Sequence, residues 1–336
     1  MPLSIGLVGK PGSGKTTVFD TLQAAPGGKS WASGPGGVRV RTVEVEDDRL
    51  ARLVEVHRPK RHTAVSLRFV DFPGRGGIGP ERLAAMREAD CLLIVVGLFP
   101  VGDESPPPPE SAIRSLRDEW ILSDLEVVEN RLKRLRRTIR VRPGGEEKKE
   151  MVLLEKLRGS LEGGGSVRDI SLTDDETKMI RGFTFLSAKA TRVVANIGDK
   201  DPLPELEAVT IRGQVEKEIA ELPEEERGPF LEELGVQDPA WRKLPRECLR
   251  VLDVVTFYTV VGQEIRAWTL AQGGTALDAA GRIHADMARG FVRAEVLTFE
   301  DFVAAEGPPP EKRKGRLESR RYVVQDGDIL TIRFAP

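Results

Sequence analysis

Eight residues near the amino terminus, Gly9-Lys10-Pro11-Gly12-Ser13-Gly14-Lys15-Thr16, satisfy the pattern G-x-x-x-x-G-K-[ST]. Glycines at this spacing let the backbone bend so that successive N–H groups converge on phosphate oxygens. The start of a following helix adds its positive end. Lys15 would neutralise charge on β- and γ-phosphates, and the Thr16 hydroxyl would bind Mg²⁺. Pro11, Gly12, Ser13, Gly14 and Thr17 would complete the cradle. A second pattern, Asp71-Phe72-Pro73-Gly74, offers a carboxylate for the Mg²⁺ water shell and a Gly74 N–H for the γ-phosphate. Alone it is as readily an ordinary Asp-x-Pro-Gly turn, but downstream of a P-loop it reads as the other half of a triphosphate site. Arg75 follows at once, either to meet γ-phosphate charge or to stand exposed in the Gly-rich loop 75–79. His57, His62 and His284 have no partners at metal-ligand spacing, and no Ser-His-Asp or Cys-His arrangement is discernible.

These residues need a scaffold. The apolar run 3–8 predicts a strand entering the Gly-rich turn, and 17–23 predicts the helix leaving it. Further strands are expected at 65–70 and 92–97, with a helix at 80–88 between them; such alternation predicts a parallel sheet covered by helices. After the Pro-rich break at 106–109 the pattern changes. Leu116, Trp120, Leu125, Val128, Leu132 and Leu135 recur at helical spacing, the helix ends near Arg142-Pro143-Gly144-Gly145, and a second runs over 146–161 to a Gly163-Gly164-Gly165 turn. Two such helices make an antiparallel hairpin. Strands return at 191–197 and 208–211, with a helix at 214–222.

The last ninety or so residues read as a separate unit: strands at 254–261, 265–270, 293–297, 322–324 and 329–334, a helix at 275–288, and Asp326-Gly327 as a hairpin-type turn. A small sheet wrapped on one helix suggests a β-grasp. The expected division is 1–110 with 181–247 as a nucleotide-binding domain, 111–180 as a helical insert, and 248–336 as the β-grasp.

Composition bounds the partners. The chain has 336 residues, 51 Lys plus Arg against 53 Asp plus Glu, and a net charge of −2, so global charge argues for neither nucleic acid nor membrane. The longest apolar stretch, 91–99, is too short to span a bilayer. Cys91 and Cys248 are far apart in the chain, which excludes a disulfide framework and fits a reducing cytoplasm; the amino terminus shows no secretory n-region.

With the motifs in place, the chain resembles the YchF/Obg-like ATPase family of translation-factor-related P-loop NTPases. The resemblance rests on the P-loop, Val45-Glu46-Asp47-Asp48-Arg49-Leu50, Phe69-Val70-Asp71 and Ala195-Asn196-Ile197-Gly198-Asp199. It is most specific in Arg266-Ala267-Trp268-Thr269, Ala279-Ala280-Gly281-Arg282-Ile283-His284, Gly290-Phe291-Val292-Arg293-Ala294 and Val324-Gln325-Asp326-Gly327-Asp328. It implies a TGS-like β-grasp, a coiled-coil insert and a cytosolic, Mg²⁺-dependent ATPase that associates with ribosomes. It also implies a base-reading loop at Asn196, Ile197 and Asp199, with Gly213 beside it. The family's usual N-x-x-E favours adenine, whereas Asp199 restores the shorter carboxylate of guanine readers, so ATP is expected to lead with GTP a close second. Three departures stand out. Gly12 replaces the family's usual Asn, which leaves potassium dependence open; Arg75 replaces a hydrophobic residue; and no clear switch-I threonine occurs, Ser33 and Thr42 being the candidates. A nucleotide-gated binding module with negligible hydrolysis is therefore the competing reading.

Other features admit two readings. Ser187-Ala188-Lys189 imitates a guanine-contacting motif but precedes Asn196, and reads as a decoy. From Arg131 to Arg142 seven residues are basic and none acidic: a solvated helix face, or a surface for RNA phosphate. Basic residues in 312–321 pose the same choice, and neither run implies DNA sequence readout. Trp31 and Trp268 are expected to pack rather than to bind ligand, and His284 to pack or to hydrogen-bond within its helix.

Overall fold

A computed structural model describes residues 2–34, 37–72, 79–102, 105–141, 144–304 and 315–335. Gly74 and Arg75 lie outside these residues, as do Arg142 and residues 312–314 of the two basic runs. The chain is α/β, built on two sheets.

The elements run in order as β1 (Leu3–Val8), α1 (Lys15–Thr21), β2 (Ala32–Ser33), β3 (Arg39–Glu44), α2 (Asp48–His57), β4 (Arg61–Thr63), β5 (Ser66–Asp71), α3 (Pro80–Glu88) and β6 (Cys91–Gly97). Then come α4 (Pro109–Val141), α5 (Gly145–Glu162), α6 (Asp174–Ile180), β7 (Ala190–Asn196), β8 (Val209–Ile211), α7 (Gly213–Glu221), α8 (Glu224–Glu233) and α9 (Ala240–Val251). The first sheet has the order β2-β3-β5-β1-β6-β7-β8. Strands β5, β1, β6, β7 and β8 are parallel, whereas β3 and β2 extend the edge antiparallel.

Strand β6 shows why its sequence is apolar throughout. Cys91, Leu93 and Val95 join one core with Val18 and Phe19 of α1, Ile219 of α7 and Trp241 of α9. Alternate residues Leu92, Ile94 and Val96 join the opposite core with Met86 of α3 and Ile113, Leu116 and Trp120 of α4. A strand covered on both faces has no polar side. Strand β1 is flanked by β5 and β6, so the chain leaves β1 and β5 at the same edge, where α/β sheets bind ligands.

Helices α4 and α5 pack antiparallel through Val128, Leu132 and Leu135 against Leu153, Leu154, Leu157 and Leu161. Helix α4 is 33 residues long, about 50 Å at 1.5 Å per residue. Its root is pinned by Asp124, which has 0 % exposure and accepts from Leu186 N (3.0 Å), Ser187 N (2.7 Å) and Arg87 Nη1 (2.9 Å). The Ser187-Ala188-Lys189 stretch thus belongs to the hairpin root, where Lys189 Nζ donates to the Arg87 carbonyl at 2.8 Å.

The second part contains β9 (Val254–Val261), β10 (Glu264–Ala271), α10 (Ala276–Ile283), α11 (Ala285–Arg289), β11 (Phe291–Leu297), α12 (Phe299–Ala304), β12 (Arg316–Glu318) and β13 (Ile329–Phe334). Ala276, Ala279 and Ala280 of α10 bury against Val255, Phe257, Ala294 and Leu330, giving the helix-on-sheet grasp. Several expectations change. The helix expected at 275–288 breaks at His284, which is largely exposed and whose Nδ1 accepts from Asp286 N at 3.2 Å as a cap. Residues 322–324 form no strand, only a bridge from Val323 to Thr275, so Asp326-Gly327 is no hairpin turn; the edge is β12.

The two parts interlock. Strand β4 pairs in parallel with β10, and Leu50 and Leu53 of α2 enter a core with Tyr258, Ile265 and Phe302. Asp47 accepts from the Tyr258 hydroxyl, and Arg49 Nη1 reaches Asp326 Oδ2 at 2.7 Å. Residues 248–251, assigned from sequence to the C-terminal unit, form the last turn of α9, and Cys248 packs in the first core with Cys91. Far apart in sequence, the two thiols are buried together and free.

Candidate functional site

The segment between β1 and α1 doubles back on itself. Ser13 N donates to Lys10 O at 3.2 Å, and Gly14 closes the turn at φ 85°. A Cβ on Gly14 would lie 2.1 Å from Asn196 Nδ2, so conformation and space both demand glycine. Lys15 Nζ folds over the loop and donates to the carbonyls of Gly9 and Lys10, each at 2.9 Å. Burial pushes this ammonium below its ordinary pKa, while the Asp71 carboxylate pulls it back. The Ser13 hydroxyl is buried inside the same loop without a partner among the described residues. Pro11, Gly12 and Thr16 are exposed at the rim.

Asp71, the last residue of β5, is fully buried. Its Oδ2 accepts from the Thr16 hydroxyl at 3.2 Å, and from Arg39 Nε and Nη2 at 3.1 and 2.7 Å. Its Oδ1 has no partner among the described residues. A buried, unpaired carboxylate oxygen beside a threonine hydroxyl is the donor chemistry a small, hard cation takes, so Thr16 and Asp71 fit Mg²⁺. Neither Ser33 nor Thr42 is brought to them: Ser33 is exposed on β2 and Thr42 is exposed three residues along β3 from Arg39. Trp31, expected to pack, is 49 % exposed with Arg39 over its ring at 5.6 Å. Trp268 does pack, stacked on Phe257 with a 6.4 Å centroid separation.

The Asn196 amide is used at both ends by the protein. Nδ2 donates to Ser13 O at 3.2 Å, and Oδ1 accepts from Gly213 N at 3.0 Å. Asn196 therefore struts the P-loop against the start of α7, and a Cβ on Gly213 would meet its Oδ1 at 2.5 Å. Ile197 is buried, whereas Asp199 is exposed. The loop that carries them is clamped by Arg212, whose guanidinium donates to the carbonyls of Gly198 (2.7 Å), Asp199 (2.8 Å) and Asp201 (3.0 Å).

Sequence reasoning does not single out Arg39 or Phe99, and it names Arg212 only as part of the Ile211-Arg212-Gly213 stretch that best matches the base-contacting loop. The Phe99 ring edge borders Gly14 and Gly97, and with Lys10–Ser13, Val95 and Val101 it lines a cavity of about 270 Å³ beside the P-loop. An aromatic residue just past the apolar strand β6 is the available signal.

On the hairpin, Arg131 makes a two-bond pair with Glu150 (2.7 and 2.7 Å), and Arg136 reaches Glu155 at 2.7 Å. Lys133, Arg134, Arg137 and Arg140 are exposed or nearly so. The basic run thus divides into residues that knit α4 to α5 and residues that face solvent.

Residues 254–335 match the family model YchF-GTPase_C, described as a protein of unknown function (DUF933). Over 99 % of its length the chain is 35 % identical to the ribosome-binding ATPase YchF of Haemophilus ducreyi, covering 99 % of that protein. The protein of that name from Bacillus subtilis is 33 % identical and covered completely, and the one from Escherichia coli O157:H7 is 32 % identical and 99 % covered. Among solved structures, the Schizosaccharomyces pombe YchF GTPase superposes with a TM-score of 0.83 at 22 % identity, over 98 % of this chain and 97 % of that one.

Proposed function

The chain belongs to the YchF family, and from that premise we propose that it is a P-loop nucleoside triphosphatase that hydrolyses ATP, with GTP second, and docks on the ribosome. The observation that carries this reading is the convergence of Lys15, Thr16 and Asp71 at the end of the two adjacent strands β1 and β5. Phosphoryl transfer asks the protein mainly for position and charge. Loop amides and Lys15 supply donors and positive charge to the triphosphate; Ser13 contributes a hydroxyl that no atom of the described residues engages. Thr16 and Asp71 would hold Mg²⁺, which when bound neutralises phosphate charge. Residues 1–110 and 181–247 as catalytic domain, 111–180 as insert and 248–336 as TGS-like unit remain the proposed division. Helix α9 and strand β4 join the first and last of these. Phosphate release by the purified chain from ATP and from GTP, with and without ribosomes, tests the activity; no release under any of the four conditions would overturn it.

The base preference rests on what holds Asp199. A guanine reader aims a fixed carboxylate at N1–H and the 2-amino group, and a carboxylate facing adenine N1 is desolvated without return. Here the loop is held by its backbone through Arg212, and Asp199 projects into solvent. Phe99, which lines the cavity beside the P-loop, would stack on either purine without telling them apart. A non-hydrolysable ATP analogue should therefore bind somewhat tighter than its GTP counterpart in calorimetry. GTP-analogue binding tighter by tenfold, about 1.4 kcal/mol, would make Asp199 a guanine-specificity residue.

For the ribosome, the exposed hairpin cations are the proposed phosphate contacts. Reversing Lys133, Arg134 and Arg137 to Glu leaves both interhelix ion pairs intact. It should weaken co-sedimentation and flatten the slope of log affinity against log salt by about 2 to 3 units. Equal co-sedimentation of variant and parent across the salt series would return the run to a solvated face. No helix among the described residues is long and apolar enough to cross a membrane, and a cytoplasmic location goes with this partner.

A further inference from the structure

The edge strand β3 delivers a cation to the metal site. Arg39 is the register partner of Asp71 across the antiparallel β3–β5 pair, so strand pairing itself sets their side chains together. The guanidinium places Nε and Nη2 on Asp71 Oδ2 at 3.1 and 2.7 Å, and Nη1 on Asp20 Oδ1 at 3.1 Å. It is held flat by Phe19, 4.7 Å from the ring centroid, with Trp31 at 5.6 Å. The arrangement is built: a planar cation, two carboxylates and two aromatic rings, with the Arg39 side chain only 18 % exposed.

We propose that Arg39 is the resident cation of the metal site and competes with Mg²⁺ for Asp71, so that it sets the Mg²⁺ concentration at which the chain takes up nucleotide. This rests on the nucleotide-site reading given above. Asp71 Oδ2 already accepts from Thr16 and twice from Arg39. A guanidinium and a divalent cation at one carboxylate repel each other, and the repulsion is strong where water is excluded. With Arg39 on Oδ2, a divalent cation at the open Oδ1 meets this repulsion, so Asp71 holds the metal well only when Arg39 withdraws. Metal uptake then requires Arg39 to leave Asp71, and because Arg39 starts β3, its release loosens the pairing between the edge strand and β5. Nucleotide state would thus be felt at the end of the strand that leads, through Asp47 and α2, to the C-terminal sheet.

The experiment is a titration of nucleotide binding, not of turnover. The affinity of a fluorescent non-hydrolysable ATP analogue is measured from EDTA to millimolar Mg²⁺ for the parent, Arg39→Gln and Arg39→Lys, with melting curves to certify the fold. Arg39→Gln should lower the Mg²⁺ midpoint by at least about threefold and leave affinity at saturating Mg²⁺ equal or tighter. Arg39→Lys, which keeps charge but loses the paired donors, should fall between, and its midpoint decides the matter where the Gln variant does not fold. In the parent, Trp31 emission, isolated by subtraction of Trp31→Phe, should change along the same titration as the guanidinium leaves the ring. An unchanged or higher midpoint overturns the proposal, and so does weaker binding at every Mg²⁺ concentration, which would make Arg39 a phosphate contact. Flat Trp31 emission while nucleotide binds overturns it too. If the parent binds no analogue at any Mg²⁺ concentration, the nucleotide site itself is lost, a result separable from the others.

Discussion

A Lys15→Ala chain should keep its fold and lose nucleotide. The ammonium carries no core packing: it rests on two loop carbonyls, Gly9 O and Lys10 O, at 2.9 Å each, and both residues are partly open to water. Removing it leaves those carbonyls to be solvated, a change within about 1 kcal/mol of stability. The same charge is the main one the loop brings to the triphosphate, in a setting buried enough to push its pKa down. Partial desolvation strengthens its attraction for phosphate oxygens, and losing one such group from a preorganised anion site costs about 100-fold or more. Triphosphate affinity by calorimetry and phosphate release should both fall by that order, while the melting temperature moves by no more than a few degrees. Affinity unchanged in a folded variant would remove the P-loop from the site.

The reasons some of this is legible in the sequence, and some is not, are physical. A P-loop is local: bend, donors and lysine lie within eight residues, so the pattern determines the chemistry. The pairing of Thr16 with Asp71 follows from the same logic, since β1 and β5 have to be adjacent for either motif to work. Asn196 reads from sequence as a base contact. Its nearness to the loop is legible, but its two ends are taken by Ser13 O and Gly213 N, a three-way meeting across 17 and 183 residues that no spacing encodes. Arg39 is invisible for a related reason. Strand β3, Arg-Val-Arg-Thr-Val-Glu, mixes charged and apolar residues without marking which of its cations meets a carboxylate, and only its register against β5 puts Arg39 on Asp71. Strand β4, Arg-His-Thr, carries no strand signal by itself and is strand only because β10 offers it an edge. The helix break at His284 is hidden by helix formers on both sides, although a histidine ahead of Ala285-Asp286 can cap.

The largest stability effect is expected far from the nucleotide, at the root of the hairpin. Asp124 sits on α4 with its carboxylate fully buried, one oxygen shared by Arg87 Nη1 and Leu186 N, the other taken by Ser187 N. Arg87 is committed too, with Nη2 on the Ser123 hydroxyl at 2.8 Å and Nη1 within 3.2 Å of Thr184 O. Asp124→Ala therefore strands a mostly buried guanidinium and two buried amides together, and the bulk of the cost is desolvation left uncompensated rather than attraction lost. Breaking a buried pair from one side costs about 3–5 kcal/mol, enough to lower a denaturation midpoint plainly. Asp124→Asn, which keeps an acceptor but turns its amide hydrogens toward donors, should lose less than Ala yet still exceed about 1 kcal/mol, the scale of one unsatisfied buried group. Because Lys15 and Thr16 stand on α1 and Asp71 on β5 rather than on α4, nucleotide affinity below the unfolding transition should stay near that of the parent. Ribosome co-sedimentation should fall with the hairpin's footing. A stability for Asp124→Ala within about 1 kcal/mol of the parent would mean that apolar packing of α4, through Ile113, Leu116 and Trp120, holds the hairpin without its buried charge.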